Sequence, residues 1–162
     1  VSGTGMKKRA GGTMEGTEQH NLAGASVLAA YRNAGGELDL PTAVEEMLRR
    51  GAMVPGGFCG LAGTCGAAIS AGMFYSIVTK TNPLSNETWK DAQLLTAACL
   101  TAIGSHGGPR CCKRDTYLAL QTTVRFMREH TGIAMEWQRK PQCIFSQRNH
   151  ECLKEKCPYF PE

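Results

Sequence analysis

No apolar stretch in the 162 residues is long enough to cross a membrane: the longest, Gly66 to Thr79, is broken by serines and falls short of the roughly 20 residues a span needs. A strong charge of either sign is missing as well. Eighteen Lys and Arg against fourteen Asp and Glu leave +4. That excess can favour a small anion or a thiolate, but it is too small for a nucleic-acid surface. Aromatics make up only 7% and do not interleave with basic residues, so a stacking platform for single strands is excluded. The N-terminus lacks the charged head, apolar middle and small-residue cleavage site of a secretory signal, which makes the cytoplasm the expected compartment. There is no Gly-Lys-Ser/Thr phosphate loop, no hydrolase-like carboxylate pair and no serine triad.

Glycine and cysteine are abundant, at 19 and 8 residues. With 42% hydrophobic content the chain can bury one ordinary core over about one domain, so disulfide staples are not required. Eight thiols in a cytoplasmic domain favour metal ligation or redox chemistry over four disulfides.

Residues 1–19 hold five glycines and Lys7-Lys-Arg9 without a hydrophobic period, which reads as a linker, with a preceding domain expected to be missing. From His20 to Asn33, Leu22, Ala25, Val27, Ala30 and Tyr31 wrap most of a helix in apolar groups, which implies an interior position. Pro41 opens a shorter helix with Val44, Met47 and Leu48 on one face, Arg49-Arg50 at its end and Gly51 as its cap. After a Cys-Gly loop, Ile69, Gly72, Met73, Ser76 and Ile77 line up on a third helix that Asn82-Pro83 ends. Ser85 or Asn86 caps the next, where Leu95, Ala98, Cys99, Ala102 and Ile103 recur at helical spacing and make Cys99 a core residue. A fifth helix from Pro109 to about His130 carries apolar residues on two faces, as a sandwiched helix does. Ile133 to Trp137 alternates weakly, as a short strand might. The expected architecture is a single all-α bundle of about five helices over 20–137, followed by an irregular Cys-rich tail over 138–162.

Val54-Pro-Gly-Gly-Phe-Cys59-Gly-Leu-Ala-Gly-Thr-Cys65-Gly sets two thiols among glycines that let the backbone bend tightly around a small object. Cys111-Cys112 stands at the start of the fifth helix, where the dipole and Arg110, Lys113 and Arg114 favour thiolate. The two turns are expected to face one another. Cys59, Cys65, Cys111 and Cys112 would then form a thiolate site for a soft metal or an iron–sulfur cluster, with Arg110 and Lys113 tuning it. Without metal, Cys111 or Cys112 would be the attacking thiol of a redox relay. The bland alternative is cysteines that merely pack. Cys143, His150, Cys152 and Cys157 in the tail match a zinc site in ligand type. Cys157-Pro158 equally matches the Cys-Pro that ends a bacterial ferredoxin ligand run. His20 and His106 are further candidates to serve as a ligand or proton carrier.

Met14-Glu-Gly-Thr-Glu-Gln-His20, Val54-Pro-Gly-Gly-Phe-Cys-Gly60, Gly63-Thr-Cys-Gly-Ala-Ala-Ile-Ser-Ala-Gly72, Gly107-Gly-Pro-Arg-Cys-Cys-Lys-Arg-Asp115 and the Cys152-x4-Cys157-Pro158 ending occur in order. In these motifs the chain resembles an uncharacterised, cysteine-rich prokaryotic family, domain of unknown function 5714, from about Met14 to the C-terminus. The resemblance implies a neighbouring cysteine-rich, zinc-ribbon-like segment or a methyltransferase domain in some members. The family's first motif usually has a further histidine where Glu15 or Gln19 stands here. Two functions follow as expectations: a metal- or iron–sulfur-binding protein with thiol-based redox activity, or a non-catalytic zinc-stabilised interaction or sensor module that acts with a methyltransferase or another partner. Neither nucleic acid nor membrane is expected as a partner, and the sequence leaves oligomeric state open.

Overall fold

The computed structural model describes residues 18–137 and 141–161. The expected linker over 1–19, with Lys7-Lys-Arg9, therefore lies almost wholly outside the described residues, as do Glu15 and the first part of the first motif. Six α-helices form among the described residues: α1 (Glu18–Asn33), α2 (Leu40–Gly51), α3 (Phe58–Leu61), α4 (Gly66–Val78), α5 (Glu87–Gly104) and α6 (Cys112–Thr131). A 3-10 turn, Lys154–Lys156, lies in the tail. The all-α expectation holds, and the described residues contain no strand: Ile133 to Trp137 is irregular. Alternation over five residues had no partner strand to satisfy its backbone groups, so it did not become a sheet.

α4 is the central element, packed against α1, α2, α5 and α6. Its small residues Ala67, Ala68 and Ala71 bring it close to its neighbours, and Phe74 and Tyr75 fill the space below them. Tyr31 of α1 meets Phe74 edge-on at 5.8 Å, and Phe126 of α6 meets Tyr75 edge-on at 6.0 Å. The line Ile69, Gly72, Met73 and Ser76 is only partly buried and borders a groove beside α5. Cys99 is fully buried among the core residues of α5 and α6, as its spacing implied.

α6 is buried on two sides, with Leu120, Val124 and Met127 in the main core and Tyr117 and Leu118 in a second cluster with Tyr159. That second cluster is where the tail docks. Tyr117 and Tyr159 pack at 5.1 Å between ring centres, and the Cys143 N–H donates to the Tyr159 carbonyl at 2.7 Å. The tail thereby forms a closed loop against the first turns of α6.

Candidate functional site

The Gly-rich stretch folds as a hairpin of short pieces. Gly57, at φ +78, opens α3, which carries Cys59; Gly63, at φ +63, then turns the chain so that Cys65 caps α4 in extended conformation. Left-handed backbone of this kind is what glycine reaches without steric cost. On the other side, Gly104 ends α5 and Gly107, at φ +69, turns the chain toward α6. An open cleft of about 840 Å³ separates the two turns. Cys59 and Cys65 line one wall, Gly104, Gly107, Gly108 and Arg110 the other, and Leu100, Ile103, Arg114 and Asp115 its floor.

Arg114 and Asp115 are 3% and 5% exposed. The Arg114 Nε donates to Asp115 Oδ1 at 3.0 Å, and its Nη2 donates to the carbonyls of Gly107 (3.0 Å) and Pro109 (3.2 Å). One guanidinium thus staples the α5–α6 turn and neutralises a buried carboxylate. Burial pushes the Cys65 thiol up to about 11, with the Asp115 charge acting in the same direction, so Cys65 is a neutral thiol at pH 7. The imidazole of His20 packs over Gly66, next to Cys65, and its Nδ1 is buried without a hydrogen-bond partner.

Arg114 also borders a second, smaller cavity of about 20 Å³ on the other side of the α6 N-terminus. Four thiols line it: Cys111 from the helix start and Cys143, Cys152 and Cys157 from the tail. Three of these sulfurs accept hydrogen bonds, from Phe145 N–H to Cys143 (3.4 Å), Lys154 N–H to Cys152 (3.4 Å) and Asn149 Nδ2 to Cys111 (3.7 Å). Lys113 is 5% exposed and places its ammonium 4.8 Å from the centre of the Phe145 ring, both groups lining the same cavity. Burial pushes the Cys143 thiol up, and the neighbouring thiols Cys157 and Cys152 add to this. Among the described residues no three His, Cys, Asp or Glu side chains are grouped to hold one metal ion.

The structure therefore divides the expected ligands between two cavities. Cys59, Cys65 and Arg110 belong to the cleft, and Cys111 and Lys113 to the tail cavity. Cys112 is the first residue of α6, is half-buried and lines neither. His150 is exposed and does not line the tail cavity, where Cys111 is the fourth sulfur. His106, in the turn after α5, donates its Nδ1–H to the Ala102 carbonyl at 2.8 Å and lines neither cavity. Asp115 and Asn149 fall within or beside the sequence motifs but have no role assigned from sequence. The one available signal was charge at 113–115 inside a segment whose following residues are apolar on both faces. Pro109 stands in the turn, three residues before α6 begins, and not at its first position.

Residues 4–160 match the model of one family, described as a family of unknown function (DUF5714). No curated protein and no solved structure matches the chain.

Proposed function

The chain belongs to the DUF5714 family, a family of unknown function, and on that footing we propose that it is a metal-binding protein. Its centre is the sulfur set Cys111, Cys143, Cys152 and Cys157. The observation that carries this reading is that four thiols, from two distant segments, line one small cavity. Thiolate donors in fours select soft cations, and zinc takes four of them tetrahedrally with no open position. A cavity of about 20 Å³ has room for about one water-sized sphere, which favours a single ion over a cluster. The N–H groups on the sulfurs and the Lys113 ammonium beside them would offset the charge of four thiolates. In this reading the ion clamps the tail onto α6, and the domain serves as a zinc-stabilised module for a partner protein.

A second reading, an iron–sulfur centre with thiol-based redox activity, is favoured by Cys157-Pro158 and by the three hydrogen bonds to sulfur, which are the usual means of setting a cluster's potential. Element analysis of anaerobically prepared protein tests both. The expected result is about one zinc per chain, lost in Cys111→Ser, Cys143→Ser, Cys152→Ser and Cys157→Ser and retained in Cys59→Ser and Cys65→Ser. Iron with sulfide and an absorbance near about 400 nm would select the second reading. Metal-free wild-type protein that takes up neither zinc nor iron would overturn both.

A further inference from the structure

The cleft is not explained by the metal reading, since none of its lining residues is among the four sulfurs of the tail cavity. Six glycines line it, and at each of them an added Cβ would meet nothing within 4 Å. Three, Gly57, Gly63 and Gly107, sit at positive φ and are explained by their backbone. The others are not. Gly60 lies within the one-turn α3 and Gly104 is the last residue of α5, neither is at positive φ, and a Cβ would meet nothing at either. The missing side chains keep open a space of about 840 Å³, a volume typical of small-molecule sites.

The charge in that space is positive. Asp115 is matched by Arg114, and Cys65 is a neutral thiol, which leaves Arg110, exposed on the cleft wall, as the uncompensated charge. Arg114 uses Nε and Nη2 to hold the turn, and its Nη1 makes no hydrogen bond among the described residues. Arg114, 3% exposed as a residue, lines the cleft floor with a donor that the turn does not use. Leu100 and Ile103 provide an apolar surface on the same floor.

We propose that the cleft binds a small organic oxyanion, a carboxylate or a phosphate ester, with its charged end on Arg110 and Arg114 Nη1 and its apolar end on Leu100 and Ile103. Planar guanidinium donors suit both kinds of oxyanion. The glycine wall lets the ligand approach bare backbone, and the Cys59 and Cys65 thiols face its side.

The test is titration of the full, metal-loaded chain with succinate and with glycerol 3-phosphate, against sodium chloride at equal ionic strength, followed by amide chemical shifts. Saturable shifts at Gly104, Gly107 and Arg110 with either probe are expected, and the stronger probe identifies the ligand class. Arg110→Gln should weaken that binding roughly tenfold or more. Gly104→Leu, which fills the cleft from a position without steric conflict, should abolish it while far-UV dichroism stays that of the wild type. Shifts no larger than those with chloride for both probes would overturn the proposal, and so would unchanged affinity in both variants. Zinc content measured on the same samples reports the metal reading separately, so failure of one is distinguishable from failure of the other.

Discussion

His20 shows how burial of one polar atom becomes a property of the fold. Its imidazole is wedged against Gly66 at the start of α4, its Nδ1 has no partner, and its own carbonyl accepts the Ser70 hydroxyl at 2.9 Å. Burial lowers its pKa below the ordinary 6.5. The unfolded chain therefore takes up this proton as the pH falls through about 6.5, while the folded chain does so only lower down. Stability should fall with pH below about 6.5 and level off beneath the depressed folded value. Urea midpoints at about pH 7.5 and about pH 5.5 should differ less in His20→Gln than in the wild type; an equal difference would remove His20 as the cause. The position of His20 ahead of a buried helix was legible in the sequence. Its missing partner was not, because periodicity locates a face and says nothing of which polar atoms are met there.

At the level of the elements, the α4–α5 contact depends on one missing methyl group. A Cβ on Gly72 would collide with Thr96 Oγ1, and that hydroxyl is held by the Ala92 carbonyl at 2.9 Å and sits on a stiff β-branched side chain. Gly72→Ala should therefore cost about 1–3 kcal/mol by overpacking, against the usual gain from alanine in a helix. Equilibrium urea unfolding measures it, and a neutral or stabilising result would mean that the two helices separate freely. Small residues such as Gly72 and Ala71 are a signal of close helix contact that spacing alone makes legible. The deepest face of α4 is not: Ala67, Ala68, Ala71, Phe74 and Tyr75 lie inside, while the more hydrophobic-looking line with Ile69 and Met73 borders a groove. In a helix apolar nearly all round, periodicity cannot choose the face, and the neighbours decide.

Across the whole molecule, the tail is attached through a second, smaller cluster separate from the main core. Tyr159 packs on Tyr117 and Leu118 and donates its hydroxyl to Gln121 Oε1 at 3.2 Å, and the four-thiol cavity lies between the tail and the start of α6. If an ion closes that cavity, removing it with a chelator under reducing conditions should release the tail while the helices of the bundle persist. Trypsin should then cut faster at Lys154 and Lys156, both exposed on the 3-10 turn, with little change in helical dichroism. Equal cleavage rates with and without chelator would show that the tail is held by packing alone.

The five long helices, the burial of Cys99 and the irregular tail were determined by sequence alone, since they follow from local spacing and from side-chain type. The division of the thiols between two cavities was decided only by tertiary structure. Cys111 and Cys112 are adjacent in the chain, yet Cys111, as the extended residue before the first turn of α6, lies against the tail, and Cys112 lines neither cavity. Which wall a sulfur joins depends on where a distant segment docks, and that docking is set by the packing of Tyr159 on α6, for which no local pattern in the chain carries a signal.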